Sequence, residues 1–260
     1  MITIHHINCG TLVVPGYPTV VCHCLLLEDD AGLTLVDSGI GLRDVEDPVG
    51  RLGRGLIDAA GFQFYEADTA VRRIEALGLR PEDVSRIILT HADPDHAGGL
   101  ADFSEADVHI SEEELREVDA GRSRYLPVQF VHRPRWRPHG RSTHSWFGLE
   151  ARPVVSRGDD GDVLLIPLFG HTRGHCGVAI RQGDRWLLHT GDAYYLRAEL
   201  ADETHPVTAL AAARAEDDEQ RRASLATLRR LLVERAGEVD LVGYHDITEL
   251  PDPQRIGPTV

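Results

Sequence analysis

The stretch "IILTHADPDHAGG", residues 87 to 99, carries two histidines and two aspartates within six positions, between an apolar run and a pair of glycines. Imidazole nitrogens and carboxylate oxygens are side-chain donors that zinc and related divalent ions accept. A loop at the end of a rigid strand can hold several such donors near one point. The spacing therefore predicts a metal-binding loop formed by His91, Asp93, Asp95 and His96.

Other candidate ligands follow further apolar runs of the chain. They are Asp37 after "LTLV", His171 and His175 in "FGHTRGHCG", Asp192 after "LLHTG", and His245 after "LVGY". Each lies at the expected end of a strand, so a sheet could bring their loops to one edge of the molecule.

Apolar runs bounded by turn residues predict the strands that carry these loops. One set is expected over "ITIHHI", "TLVV", "TVVCHCLLLE", "LTLVDSG", "SRIILT" and "ADVHI", and a second set over "LEARPVV", "DVLLIPL", "GVAIRQ", "RWLLHTGD" and "VDLVGYHD". Cys22 and Cys24 lie two apart on one of these strands, and we interpret them as small core residues rather than as a C-x-C metal site. Two strand-rich halves with interspersed helices fit two sheets packed face to face.

Three helices are predicted from apolar spacing and capping residues. "DTAVRRIEALGL" begins at Asp68 as its N-cap, and "SEEELREVD" begins with Ser111 and Glu114 as a capping box. The segment "EDDEQRRASLATLRRLLVERAG" is the clearest amphipathic helix. Its predicted buried stripe consists of Leu225, Leu228, Leu232 and Ala236.

Residues 120–146 mix arginine, proline, glycine and aromatic residues without a period, which predicts a long insertion loop. Such a basic and aromatic loop could close over a site as a lid for an anionic or acyl substrate, or contact a second copy of the chain. Nucleic-acid binding and a plain solvated loop are the other interpretations.

The ligand constellation resembles the metallo-β-lactamase superfamily of hydrolases. The marks of that superfamily are a "VDSG"-like turn, an H-x-H-x-D-H loop, a G-H-T-x-G-H loop, a "GD" pair and a late histidine. They occur here in that order between about residues 10 and 247, with aspartate in place of the second histidine of the H-x-H-x-D-H loop. The resemblance implies an α/β fold, a four-layer αββα sandwich in which two mixed β-sheets pack face to face with helices outside. We expect one such domain over residues 1–260.

The resemblance also implies a binuclear metal centre with seven ligand positions. They form two sets joined by a bridging aspartate: His91, Asp93 and His175; Asp95, His96 and His245; and Asp192 as the bridge. By the same resemblance, His171 would support its loop and Asp37 would orient a ligand histidine through a hydrogen bond.

Asp93 departs from the family pattern, in which histidine is usual. An aspartate brings a negative charge and a hard oxygen, which favour iron or manganese, although zinc also accepts carboxylates. We expect two divalent ions, with zinc ahead of iron or manganese. One ion held by Asp95, His96, Asp192 and His245, or an inactive remnant, are the alternatives; repulsion among the clustered carboxylates argues for a bound cation.

The implied activity is hydrolysis of an ester, lactone or thioester by a metal-activated hydroxide. Asp95 would orient the nucleophile and carry its proton, and Tyr195, three positions after Asp192, would contact the substrate carbonyl or leaving oxygen. The tyrosine and the final "YHDI" resemble the N-acyl-homoserine lactonase branch, with glyoxalase II-like members as the other near group. The alternatives are a di-iron redox protein or oxygenase, a phosphodiesterase or nuclease, and a non-catalytic binding protein.

Composition restricts the partners. The 260 residues carry a formal charge of -15, which disfavours nucleic acid and anionic membranes. No apolar stretch has the length of a membrane span and the N-terminus does not have the pattern of a signal peptide, so we expect a cytoplasmic protein with a small-molecule substrate. A homodimer stays possible. The 27 basic residues are all arginine, which excludes lysine-based covalent catalysis.

Overall fold

In the computed structural model, residues 2–14, 16–155 and 162–251 are described. The parts of the predicted 1–260 domain at residues 1, 15, 156–161 and 252–260 lie outside that description. Seven strands form the first sheet, in the order β4-β1-β2-β3-β5-β6-β7. They are β1 (Thr3–Leu12), β2 (Val20–Asp29), β3 (Gly32–Val36), β4 (Phe62–Gln63), β5 (Val84–Ile88), β6 (Asp107–Ser111) and β7 (Arg135–His139).

Six strands form the second sheet, in the order β13-β12-β11-β10-β9-β8. They are β8 (His144–Trp146), β9 (Leu149–Val155), β10 (Val163–Pro167), β11 (Cys176–Gln182), β12 (Arg185–His189) and β13 (Val239–Val242). Both sheets are mixed, because β3, β5, β6 and β7 are parallel in the first, while β12 and β13 are parallel in the second.

Helices occupy the connections between strands. They are α1 (Leu42–Glu46), α2 (Pro48–Leu52), α3 (Arg54–Ala60), α4 (Ala70–Ala76), α5 (Pro94–Ala97), α6 (Glu112–Asp119), α7 (Ala198–Ala201), α8 (Val207–Arg214) and α9 (Asp218–Glu234). Short 3-10 turns lie at Glu66–Asp68, Pro81–Asp83, Gly98–Phe103, Pro127–Phe130, Gly191–Ala193 and Ile247–Glu249. Among these described elements, no helix combines the length and apolar character needed to cross a bilayer.

The buried apolar residues form three clusters, one between the two sheets and one between each sheet and its helices. This arrangement confirms the predicted αββα sandwich. Along β2, Leu25 and Leu27 pack toward the second sheet, while Leu26 packs on the opposite face with the helices of the first half. The same alternation on β10 places Leu165 between the sheets and Ile166 against the α9 side. Period-two patterning thus supplies one inter-sheet core and two sheet-to-helix cores.

The structure corrects the loop predicted over residues 120–146. This segment contains a 3-10 turn and two edge strands, β7 in the first sheet and β8 in the second. The arginines of β7 face outward, and Arg135 and Arg137 both pair with Asp107 on the neighbouring strand. Pro138 is compatible with β7 because an edge strand needs no hydrogen bond on its outer side. The solvent-facing arginines and prolines of this segment leave no alternating apolar pattern, so its two strands were not predicted from the sequence.

Two capping and packing predictions also change. Helix α4 begins after Thr69 rather than Asp68, because the Asp68 carboxylate accepts hydrogen bonds from Arg73, at 2.6 Å, and Thr11, at 3.1 Å. In α9, Leu231 is fully buried, whereas Leu232 is half-buried. The predicted stripe residue Ala236 lies beyond the end of the helix and is exposed.

Candidate metal centre

The candidate ligands converge because their loops follow strands that run in one direction. Parallel strands β3 and β5 end just before Asp37 and His91, and parallel strands β12 and β13 end just before Asp192 and His245. Strand β10, two antiparallel steps from β12, ends before the loop that carries His171. The carboxyl ends of these strands, from both sheets, therefore face one site.

Two clusters of donors form there, which we name the first and second metal groups. The first metal group is His91, His171 and Asp192, and the second metal group is Asp95, His96 and His245. In each, the donor atoms lie within 4.8 Å of one another. These six side chains are buried except for Asp95, which is half-buried. The two adjoining clusters therefore contain five of the predicted ligands together with His171.

Asp192 lies between the two groups. Its Oδ1 is 3.3 Å from His96 Nε2, and its Oδ2 is 3.4 Å from His245 Nε2 and 3.3 Å from His171 Nε2. Burial alone would raise the pKa of Asp192, but the histidines around it, His245 first, hold that pKa well below the usual value. A charged carboxylate shared by both groups is what a bridging ligand requires.

The donor atoms suit divalent cations. His91 Nε2, His96 Nε2 and Asp192 Oδ1 are buried without a hydrogen-bond partner. Buried polar atoms are otherwise satisfied as a rule, and an unsatisfied one costs free energy. Cations in the two groups would satisfy all three, and imidazole with carboxylate is a donor set that zinc accepts. The residues present therefore fit the ions that the family resemblance implies.

Each histidine of the second metal group is oriented through its other ring nitrogen. His96 Nδ1 is 2.9 Å from the Asp37 carboxylate, so the supporting hydrogen bond predicted for Asp37 is present. His245 Nδ1 donates to the Val21 carbonyl at 2.9 Å. Tyr244 stacks on the His96 ring with centroids 3.8 Å apart and donates its hydroxyl to the Asp95 carbonyl. Such contacts fix ring orientation and leave Nε2 for an ion.

His175, predicted as a ligand, lies outside both groups, and His171 takes the place expected of it. His175 Nδ1 donates to the Leu168 carbonyl at 2.8 Å, and its Nε2 accepts the Asp192 amide at 3.0 Å, so neither ring nitrogen is free. Burial lowers the pKa of His175 to about 3, which keeps the ring neutral, as an acceptor must be. A side chain on Gly191 would meet His175 Nε2 at 2.6 Å, so this close approach needs glycine.

Asp93 lies beside the first metal group. Its Oδ2 is 3.5 Å from His91 Nε2 and 3.3 Å from His171 Nε2. Both of its oxygens also accept from Arg124, at 2.5 and 2.6 Å. Burial works to raise the pKa of Asp93, but Arg124 and His91 hold it well below the usual value, so this carboxylate is ionised.

Glu114 joins the two loops of the first metal group and was not recognised in the sequence. The side chain is fully buried and accepts hydrogen bonds from the Ala92 amide, the Thr172 hydroxyl, the Gly174 amide and the Tyr125 hydroxyl. In the predicted capping box, Ser111 does accept the Glu114 amide, but the Glu114 carboxylate points to these loops instead. An acidic residue in the first turn of a helix gives no sign of such a role.

Comparison with known proteins decides the family. The sequence profile described as Metallo-beta-lactamase superfamily matches residues 17–238. The chain belongs to the metallo-β-lactamase superfamily. The "Probable metallo-hydrolase Rv2300c" of Mycobacterium tuberculosis (strain ATCC 25618 / H37Rv) is 45% identical over 76% of this chain and 64% of that protein. The chain thus spans less than two thirds of the length of this curated relative.

Several of the other proteins that resemble this chain are lactonases. The "N-acyl homoserine lactonase AttM" of Agrobacterium fabrum (strain C58 / ATCC 33970) is 30% identical over 65% of this chain and 64% of that protein. Among solved structures, an N-acyl homoserine lactone hydrolase with N-hexanoyl-L-homoserine bound at its catalytic metal centre aligns with a TM-score of 0.70 at 21% identity, covering 95% of this chain and 93% of that one. This structural likeness shows the shared fold.

An apolar cavity of about 280 Å³ opens onto the metal groups of this metallo-β-lactamase-fold chain. Its apolar lining includes Leu12, Val20, Leu56, Phe62, Val207 and Leu210. Its polar end is formed by Asp93, Asp95, Asp192, Tyr195, Arg214 and His245. A molecule bound there would place an apolar portion in the cavity and a polar portion at the metal groups.

The two neighbouring tyrosines after Asp192 have different surroundings. The Tyr195 ring packs edge-on against His245 and His171, with centroids 5.4 and 5.8 Å away, and lines the cavity. Burial and the nearby Asp192 carboxylate raise the pKa of Tyr195 well above its usual value, so its hydroxyl keeps its proton. Tyr194 is fully buried and donates to Glu249 at 3.0 Å. Only Tyr195 of this pair can reach a molecule in the cavity.

Proposed function

We propose that this chain is a divalent-metal-dependent hydrolase of a lactone or other carboxylic ester that carries an apolar acyl group. The observation that carries the proposal is the apolar cavity that opens directly onto both metal groups. An acyl chain fits such a lining, because burial of its methylenes is favourable, and the scissile carbonyl would then lie at the polar end. The lactonases among the relatives support this substrate class.

Zinc is the proposed ion, held by the second metal group with Asp192 and, when filled, by the first metal group. A divalent ion bound there supplies a water made acidic enough to react near neutral pH and polarises the substrate carbonyl. Iron and manganese remain alternatives that Asp93 would favour, but both oxygens of Asp93 are already bonded to Arg124. That pairing also weakens the case for a di-iron redox protein with an acidic ligand at this position.

Asp95 and Tyr195 are the proposed catalytic residues. Asp95 is half-buried, lines the cavity and lies 3.5 Å from His245 Nε2, so its carboxylate is placed to accept the proton of an attacking water and pass it to the leaving oxygen. Tyr195 lines the same end of the cavity and keeps its hydroxyl proton, which allows it to donate to the carbonyl or leaving oxygen.

The test is a hydrolysis panel on protein stripped of metal and then reloaded with zinc. Acyl-homoserine lactones of short and long chain, simple esters, thioesters and phosphodiesters would be compared at equal concentration. We expect hydrolysis of long-chain lactones or esters that is lost with a chelator and restored by zinc. Hydrolysis of phosphodiesters alone, or of no substrate by zinc-loaded protein, would refute the proposal.

The tyrosine pair gives a matched test of the catalytic assignment. Tyr195→Phe should lower kcat by about a hundredfold, since it removes a donor to the reacting oxygen. Tyr194→Phe is the control, because it removes the hydroxyl that bonds to Glu249 and leaves the cavity wall unchanged. Equal kcat for both variants would show that Tyr195 does not act on the substrate.

The cavity gives a separate test of the acyl group. Ala60 lines the cavity at the end of α3, and Ala60→Trp would fill part of the volume. We expect KM to rise for long acyl chains and to change little for short ones. If both chain lengths respond equally, the cavity is not the site of the acyl group.

A further inference from the structure

Arg124 places a permanent positive charge in the first metal group. Its Nε and Nη2 donate to the two oxygens of Asp93 at 2.5 and 2.6 Å, and Nη2 also lies 2.6 Å from His171 Nε2. The remaining arm, Nη1, donates to the Arg214 carbonyl at 2.7 Å. The arginine side chain is only 12% exposed, so these contacts fix the guanidinium inside the site.

These contacts use the atoms that an ion would need. An ion at the first metal group would bind the lone pair of His171 Nε2 and could also use an oxygen of the adjacent Asp93. The guanidinium already donates to His171 Nε2 and to both Asp93 oxygens. A guanidinium does not lose its charge at accessible pH, so it cannot yield by deprotonation. Arg124 must therefore move away before a divalent ion can take both donors.

The second metal group has no such competitor. Its short contacts are with Asp192, at 3.3 Å from His96 Nε2 and 3.4 Å from His245 Nε2, and the ion pairs of the described residues include no arginine at Asp95 or Asp192. His96 Nε2 is buried without a hydrogen-bond partner. His91 Nε2 of the first metal group also lacks a partner, but there Arg124 already supplies a positive charge beside the donors. Among the described residues, the second metal group lacks such an internal arginine.

Arg124 is held in place by the neighbouring residue. The Tyr125 hydroxyl donates at 2.8 Å to Glu114, the buried carboxylate that also accepts the amide of Ala92 and the hydroxyl of Thr172. The segment that carries Arg124 is thereby joined to the loops that carry His91 and His171. Such tethering makes displacement of the guanidinium costly.

We propose that Arg124 is a built-in cation that takes the place of an ion in the first metal group. The chain then binds one divalent ion tightly, at Asp95, His96, His245 and Asp192, and binds a second only weakly. This refines the proposed hydrolase, on whose metal requirement it rests, to one that works with a single tightly bound ion.

The test counts bound zinc in wild type and in Arg124→Met, which keeps much of the side-chain length and removes the charge and donors. Metal-free protein would be titrated with zinc by calorimetry, and zinc per chain measured by mass spectrometry after equilibration with a competing chelator. We expect one tight ion in wild type and two in the variant, with the second ion bound about ten- to hundredfold more tightly than in wild type.

Arg122→Met is the matched control, because Arg122 lies on the same segment, is 58% exposed and pairs with Glu117. It should bind zinc as wild type does. Two equally tight ions in wild type, or the same weak second ion in Arg124→Met as in wild type, would overturn the proposal. If Arg124→Met does not fold, Arg124→Gln serves instead, since it also removes the charge and keeps a polar side chain, and it should also tighten the second ion.

The outcome is separable from that of the proposed function. One tight zinc without hydrolysis of any lactone or ester would leave the role of Arg124 standing and refute the hydrolase. Lactone hydrolysis by a wild-type chain with two equally tight ions would do the reverse.

Discussion

The two metal groups use the same kinds of residue but differ in how their negative charge is balanced. Beside the first metal group, Asp93 is paired with Arg124 at 2.5 Å. In the second metal group, Asp95 has no arginine partner among the described ion pairs and faces His96 and His245. Asp192 adds a shared carboxylate to both.

Because of this difference, we expect the stability of the folded chain and its affinity for metal to depend on different groups. The first metal group can fold with its charges balanced by the chain itself, because a bidentate arginine neutralises a carboxylate and satisfies its lone pairs. In the second metal group, no arginine is paired with Asp95 among the described ion pairs, and an external cation would satisfy the buried His96 Nε2. A substitution in the second metal group should therefore affect metal binding most, and one in the first should affect the stability of the folded chain.

The largest expected effect comes from Asp95→Asn. Removal of this charge from the second metal group should weaken zinc binding on the order of a thousandfold, more than the about ten- to hundredfold caused by loss of a residue that only supports a ligand. The measurement is a competitive zinc titration against a chromogenic chelator.

Asp93→Asn is the paired variant beside the first metal group. We expect the affinity of this variant for its tightest zinc to lie within about tenfold of wild type, because both oxygens of Asp93 already accept hydrogen bonds from Arg124. Equal losses of affinity in the two variants would remove the distinction between the groups.

The sequence predicted much of this arrangement. Ligand types at strand ends, in family order, identified the fold and the loops of His91, Asp192 and His245, because a sheet fixes where its loops meet. The second metal group has the composition that the resemblance implied. The supporting role of Asp37 followed from the general need of ligand histidines for a second hydrogen bond.

What the sequence did not reveal depends on contacts distant along the chain. His171 and His175 cannot be distinguished by residue type. His175 directly precedes β11, and its two ring nitrogens are hydrogen-bonded to the Leu168 carbonyl and the Asp192 amide. Arg124 meets Asp93 across 31 positions, and no local pattern marks that pair among many arginines. An acidic residue where histidine is usual was the available signal, since a buried carboxylate needs a counter-charge.

Glu114→Ala should have the next largest effect, on folding. It would leave the amides of Ala92 and Gly174 and two hydroxyls buried without their acceptor, at a cost of about 3 kcal/mol in the free energy of unfolding. Denaturant unfolding of metal-free protein measures it. Glu112→Ala is the control, because its pair with Arg116 is exposed and its loss should leave the free energy of unfolding nearly unchanged. Similar losses in both would contradict the tie between the loops.

Metal removal should have a smaller effect on stability. At a free zinc concentration about 100 times the dissociation constant, binding to the folded chain alone adds about 2.7 kcal/mol to the free energy of unfolding. Thermal unfolding with zinc and with a chelator measures this gain. It should be present in wild type and Asp93→Asn and absent in Asp95→Asn. A zinc-dependent gain that survives in Asp95→Asn would place the tight ion elsewhere.

The smallest expected effect is the pH dependence that Asp93 gives to the metal-free chain. Although burial acts to raise it, the pKa of Asp93 is held well below its usual value by Arg124 and His91. A carboxyl group with a depressed folded-state pKa stabilises fully above its unfolded value of about 3.9, and that contribution is lost as the pH falls through the folded-state value. Wild type should therefore lose about 1 to 2 kcal/mol more than Asp93→Asn on acidification below about pH 4.

Denaturant unfolding at a series of pH values, with a chelator present throughout, would measure that difference. Asp240→Asn is the control, because Asp240 is 59% exposed in its pair with Arg185, and its curve should follow wild type. Parallel curves for wild type and Asp93→Asn would mean that Arg124 does not hold Asp93 ionised. The charge of Asp93 would then not be balanced by Arg124, and the distinction between the two groups would be lost.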